Sequence, residues 1–445
     1  MTAIHTPHNL KHIATRGLSP LRLSPPRRST TTTTMTRSST SSSSFCDAFV
    51  ERVEVKPTST TPSSSLAGLT ACVKDTFDMS NHTTGFGHPK WRETHQPATE
   101  NAEVVDLLLS SGATVVGRTH MDELAWSLFG VNYHYGTPRN PNASNKIPGG
   151  SSSGSASAVA DGLADIGMGT DTGGSVRVPA SYCGLYGIRP THGRVSLRGA
   201  RSLAPSFDTC GWFARDAALL RRVGNELLPP PATRATTPLT RWLVAADAFD
   251  LADPAASEAI YGAIAKKREE LSLVFSSPPP QEVSLDHLGG GSYDAWFEAF
   301  RVLQSREVWQ ELGPWVEANR PELGPGIRER FEYARTVRDS EVEEKAATRE
   351  SIRARLAEVL GRDGFLMLPT TPGPPPTSNE SPEVVTDLRA RLLRLTSIAG
   401  LSGFPQVSIP VARVEGEGPV GLSLLGPPGS DEELLDLAER VANVL

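Results

Sequence analysis

Cysteine is scarce in these 445 residues. There are four, Cys46, Cys72, Cys183 and Cys210, and none stands in a C-x-x-C spacing. That excludes a disulfide framework and a cysteine-based metal ribbon; widely spaced thiols of this kind read as small buried hydrophobes in a reducing compartment. No apolar run approaches the roughly 20 residues of a membrane-crossing helix, so no membrane partner is expected. Basic charge is lacking as well: the formal net charge is −6, whereas non-specific nucleic-acid binding needs a basic face. Ten histidines occur, five of them in the first 90 residues, and none sits in a recognisable nucleophile–histidine–acid motif. His120, in THMDEL, has neither a zinc-site spacing nor a nucleophile beside it and reads as structural. What remains is a chain with 38% hydrophobic residues, long enough to bury a large core.

Residues 1–45 differ from the rest. They carry Lys11, Arg16, Arg22, Arg27, Arg28 and Arg37, no Asp or Glu, and tracts of threonine and serine. Such a segment cannot bury enough apolar surface to fold and is expected to be a disordered extension. Its profile is that of an organelle transit peptide; the alternative is that Met35 starts the chain. A cytoplasmic protein is expected, with plastid targeting by residues 1–45 as the alternative.

Residues 46–445 read as one globular domain. AEVVDLLLSS (102–111) has helical spacing of Val104, Val105, Leu107 and Leu108, and ATVVG (113–117) follows as a short buried strand. The alternation repeats with a small-residue helix at 155–164, strands at 165–168 and 184–188, and a helix starting at 175–181. Helix–strand alternation with turn glycines predicts an α/β fold. Amphipathic, charge-laced helices are expected at 255–273, 293–316 and 328–360. A strand running into a Pro-rich loop is expected over 364–376, further strands over 397–410 and 421–425, and a closing helix at 431–444.

Two segments carry the chemistry: PGGSSSGSAS (148–157) and GTDTGGSVRVP (169–179). Each presents a serine among residues small enough for other atoms to approach closely. At Ser175, the preceding Thr172, Gly173 and Gly174 form a loop able to aim backbone N–H groups at one point, which is what an oxyanion hole requires. The base is expected to be Lys74, at the end of the apolar run Leu66–Val73, provided that burial lowers its pKa enough to leave it neutral. Ser151 then bridges the two, because a hydroxyl both donates and accepts. Lysine–serine–serine sets are a known variant of the serine-nucleophile plan. Asp171 and Arg177 are expected to pair and brace the turn. Trp91, Trp126, Phe129 and Tyr133 are candidates for an aromatic substrate pocket.

Across residues 46–445 the chain resembles the amidase signature family, most specifically in PGGSSSGSASAVA (148–160), GTDTGGSVRVPASYCGLYGIRPT (169–191) and the placement of Lys74. The resemblance implies an α/β/α sandwich around a mixed, largely parallel β-sheet. It also implies a cis peptide at Gly150–Ser151, an acyl-enzyme mechanism on Lys74, Ser151 and Ser175, a small-molecule amide as partner, and neither cofactor nor metal. VKDTFDM (73–79), TGFGHPKW (84–91), HYGTPRNP (134–141), SFDTCGWFARD (206–216) and PTTPGPPP (369–376) are similar to plant members that hydrolyse indole-3-acetamide to indole-3-acetic acid. The glutaminase subunit of a tRNA-dependent amidotransferase and a non-catalytic amidase-like import receptor are the alternatives.

Overall fold

The run that leads into Lys74 forms the strand Thr70–Lys74, whose last four residues are buried. A strand covered on both faces reads as a continuous apolar run, and this one lies inside an eleven-stranded sheet. These strands come from a computed structural model that describes residues 45–445 except 59–60, 62–63, 231–236, 276–279 and 287–290. Apart from Phe45, the expectations for residues 1–45 lie outside the described residues.

From one edge to the other, the strands are Gln281–Val283, Arg241–Ala245, Gly364–Pro369, Gly418–Leu425, Gln406–Val414, Tyr186–Arg189, Thr209–Ala214, Ile166–Asp171, Thr70–Lys74, Thr114–Thr119 and Phe49–Glu51. The sheet is mixed, as expected. Its parallel pairing is concentrated in two three-stranded groups, one around Arg241–Ala245 and one around Thr70–Lys74, joined through an antiparallel middle.

Both faces are covered. Along Arg241–Ala245, Trp242 and Val244 enter one apolar cluster while Leu243 and Ala245 enter another, which is the two-residue period of a strand. The first cluster receives helices Glu103–Ser110, Ala217–Leu227, Pro254–Lys266 and Asp431–Ala442. The second receives Tyr293–Asn319, Ile327–Thr336, Asp339–Leu360 and Pro382–Ser402. The chain is therefore α/β, with helices on both sides of the sheet. Among the described residues, no helix is long and apolar enough to cross a membrane.

Two sequence expectations change. The segment expected as strand from Ser397 is helix up to Ser402, the C-terminal end of Pro382–Ser402, and the strand begins only at Gln406. The helices expected at 255–273 and 328–360 are each two, divided near Lys267 and Val337.

Candidate active site

Three parallel-paired strands end at one place. Lys74 closes its strand, Thr170 and Asp171 end the neighbouring strand Ile166–Asp171, and Thr119 ends Thr114–Thr119. Loops at the carboxyl ends of parallel strands are where open α/β sheets place their sites. Lys74 is fully buried. Its Nζ donates to Ser151 Oγ at 2.7 Å and to Thr170 Oγ1 at 2.8 Å, and it forms no ion pair with any described carboxylate. Burial pulls its pKa from 10.5 down to about 7, against the opposing pull of Asp122, Asp171 and Asp208.

Ser151 follows a cis Gly150–Ser151 peptide, as the resemblance implies. A Cβ on Gly150 would run into the Asp122 carboxylate, so this position has no room for a side chain. Asp122 also donates its N–H to Ser151 O at 3.1 Å and accepts from Gly130 N at 3.0 Å. Burial raises its carboxyl pKa to about 6. Gly150→Ala should therefore displace Asp122 and Ser151 together; a variant that keeps both full activity and an unchanged melting temperature would contradict this packing.

The Ser175 loop is joined to the Ser151 loop through backbone. Ser152 N donates to Ser175 O at 3.2 Å, and Ser152 Oγ donates to Thr170 O at 3.2 Å. Ser175 is buried, and its hydroxyl makes no hydrogen bond to any described residue. Gly174, with φ of +127°, occupies backbone space that side-chain-bearing residues rarely adopt. Thr396 clamps the same turn by donating Oγ1 to Gly173 O at 2.6 Å.

Asp171 fixes the turn, as expected, but with more partners than Arg177. It accepts from Arg177 Nε at 3.0 Å and Nη2 at 2.8 Å, from Arg189 Nη1 at 3.2 Å, and from the N–H groups of Gly174 at 2.9 Å and Val176 at 3.1 Å. Burial alone would raise this carboxyl; the two guanidiniums outweigh it and hold the pKa well below the usual carboxylate range. Of the three residues expected around an oxyanion, Gly174 donates its N–H to Asp171 in this structure. Thr172 Oγ1 likewise donates to Asp208 Oδ1 at 2.6 Å, giving that side chain a loop-holding role.

A small pocket lined by Thr172, Gly173 and Ser175 shares Trp126, Ser127, Gln304, Arg389 and Leu393 with a cavity of ≈ 930 Å³. Trp126, Phe129 and Tyr133 line that cavity. Trp91 does not. It packs on Phe86 and Trp315, with ring centroids 5.1 and 4.9 Å away. His120 is buried, and burial lowers its pKa to about 4; its O accepts from Gly154 N at 3.0 Å.

Sequence reasoning missed Thr170, Asp122 and Arg189. It also missed His88, Glu123 and His134, whose candidate ligand atoms lie within 4.8 Å of one another. Each is already engaged. His88 Nδ1 accepts the Lys90 N–H at 2.9 Å, which puts its proton on Nε2, facing Glu322 O at 3.1 Å. Glu123 pairs with His134 Nε2 at 3.1 Å and accepts from Gly324 N at 3.0 Å. The group is a hydrogen-bonded brace at the cavity edge.

A buried lysine held against Ser151 and the neighbouring Ser175 turn thus stand together at the end of a mixed sheet, beside a cavity with aromatic walls. The chain belongs to the amidase family, whose model matches residues 36–238 and 294–435. It is accordingly an amide hydrolase. Amidase 1 of Arabidopsis thaliana is 43% identical over 419 residues, spanning 89% of this chain and 97% of that protein. Amidase 1 of Oryza sativa subsp. japonica is 41% identical, spanning 89% and 95%. The Pisum sativum protein named translocon at the outer membrane of chloroplasts 64 is 36% identical over 85% of this chain, which spans 66% of it. A crystal structure of an amidase superposes with a TM-score of 0.73 at 28% identity, covering 85% of each chain.

Proposed function

We propose that the chain hydrolyses a primary amide through an acyl-enzyme on Ser175, with indole-3-acetamide as substrate and indole-3-acetic acid and ammonia as products. One observation carries the reading: a buried amine with no carboxylate partner among the described residues, its Nζ 2.7 Å from Ser151 Oγ, in a loop tied to that of Ser175. Neutral Lys74 takes the Ser151 proton while Ser151 takes the Ser175 proton, and Ser175 Oγ bonds to the amide carbon. Thr170 accepts one N–H of the amine and so turns the nitrogen lone pair toward Ser151. With Gly174 donating to Asp171, the N–H groups of Thr172, Gly173 and Ser175 are the donors assigned to the oxyanion. The proton returns through Ser151 to the departing ammonia. Water, deprotonated by the same relay, then attacks the ester carbon and frees Ser175.

The cavity supports an aromatic acyl group through Trp126, Phe129 and Tyr133, which offer apolar area and ring faces. The identity to two plant proteins named Amidase 1 supports an amide as the substrate class. The test is ammonia release from indole-3-acetamide by the protein started at Met35, beside phenylacetamide, oleamide and glutamine. Turnover led by indole-3-acetamide is expected. Turnover of glutamine alone, and only with added subunits, would replace this reading with the amidotransferase; a folded protein inert on every amide would favour the import-receptor alternative. We place the reaction in the cytoplasm, with plastid targeting by residues 1–45 as the competing outcome of a localisation experiment with and without that segment.

A further inference from the structure

Three guanidiniums reach the cavity in front of Ser175: Arg301, Arg330 and Arg389. Arg301 is satisfied. It holds Glu298 through Nε at 2.8 Å and Nη2 at 2.5 Å, and lies 3.9 Å from the Tyr333 ring centroid. Arg330 gives Nη1 to Trp126 O at 2.5 Å and has no described carboxylate partner. Arg389 has neither kind of partner among the described residues, and its Nε is buried without any acceptor. It is also the arginine that lines both the cavity and the small pocket at Ser175.

The acidic groups around the cavity are committed elsewhere. Glu123 holds His134 and the Gly324 N–H, Glu329 accepts from Gly326 N at 2.5 Å, and Glu380 accepts from Thr377 Oγ1 at 2.7 Å. Burial, with repulsion from Arg330 and Arg301, presses the Arg389 pKa well below its ordinary range. A guanidinium does not shed its proton in a protein; it takes an anion, and its planar fork fits a carboxylate through two parallel N–H donors. The walls beside it, Trp126, Phe297, Ile147 and Leu393, are apolar. A ligand that satisfies both features has an apolar body and one anionic group.

We propose that Arg389 is a specificity-determining residue that admits a second class of substrate carrying a carboxylate on its acyl portion, so that among aliphatic primary amides of one length this site prefers those whose acyl chain ends in a carboxylate. The proposal rests on the reading of the Ser175 pocket as the amide site. It goes beyond indole-3-acetamide, which would leave Arg389 unpaired.

Adipamic acid, the monoamide of hexanedioic acid, and hexanamide form a matched pair that differs in the terminal charge. Binding is measured by calorimetry on Ser175→Ala, which cannot form the acyl-enzyme, and on the same protein carrying Arg389→Gln or Arg389→Lys. Adipamate is expected to bind at least tenfold more tightly than hexanamide. Arg389→Gln should bring the two within about threefold, Arg389→Lys should retain part of the gap, and added salt should narrow it. Equal binding of the two amides, or a gap that Arg389→Gln leaves intact, would overturn the proposal. Ammonia release by the unsubstituted protein separates the two readings: a binding gap without ammonia from either amide keeps the anion site and removes the reaction, whereas ammonia with no gap does the reverse.

Discussion

Lys74→Met is expected to lower amide turnover on the order of 10⁵-fold while the chain stays folded, a loss of the size seen when one member of a serine-hydrolase set is removed. Methionine fills the same buried space without an amine, so Ser151 loses its proton acceptor and Ser175 keeps its proton. The pH profile carries the same signature. A lysine whose pKa is drawn from 10.5 down to about 7 is protonated below that value and cannot accept a proton, so kcat/KM should fall as pH drops through about 7 and level off above it. A profile flat from pH 5 to pH 9 would contradict the assignment. Stability should move in a linked way. Between about pH 7 and 10.5 the unfolded chain holds a proton on Lys74 that the folded chain does not, so wild-type stability should rise with pH relative to Lys74→Met, by about 1.4 kcal/mol per pH unit. The penalty for burying the amine is greatest below pH 7 and fades as pH approaches 10.5.

Asp171→Ala should be the most destabilising single substitution at the site. Asp171 is the carboxylate between Arg177 and Arg189, all three fully buried. Removing it leaves two guanidiniums in the interior and frees the Gly174 and Val176 N–H groups. Breaking a buried pair in this way costs about 3–5 kcal/mol, a large share of a stability of roughly 5–15 kcal/mol. Urea unfolding should show a midpoint shift of that size, with activity lost even where the fold survives, because Ser175 stands on this turn. The pH sense is opposite to that of Lys74. A carboxyl held below its usual range contributes fully above the unfolded value near 4 and loses its contribution only as pH falls toward the depressed folded value. A midpoint shift under 1 kcal/mol would show that the arginines find other partners.

The contrast between Lys74 and Asp122 shows what the sequence could and could not convey. Lys74, Ser151 and Ser175 stand out in the sequence because each sits beside a dense run of small residues or at the end of an apolar strand, and because those runs resemble a known family. Asp122 lies in a segment with no such signal; its role comes from the bare Gly150 against which its carboxylate packs, a contact across 28 residues. Thr170 belongs to a strand whose fully buried pattern predicts structure, not chemistry, and Arg189 reaches Asp171 from a different strand. In sequence the helix end Ser397–Ser402 reads as strand because SIAGLS is short, apolar and bounded by glycine, a pattern that a buried helix turn also satisfies. The helix N-cap at Ser381, which accepts from Val384 N, was the signal that could have corrected it. Arg389 gave no warning either: an arginine two residues from Arg391 on a charged helix looks like a surface group until the cavity beside it is seen.

The central claim is that Ser175 carries the acyl group. Rapid acid quench of the protein turning over indole-3-acetamide, followed by peptide mass mapping, tests it most directly. The expected result is a mass gain equal to the substrate less ammonia on the peptide containing Ser175, absent from Ser175→Ala and not formed by Lys74→Met. An adduct on a different residue, or sustained ammonia release by Ser175→Ala, would contradict it.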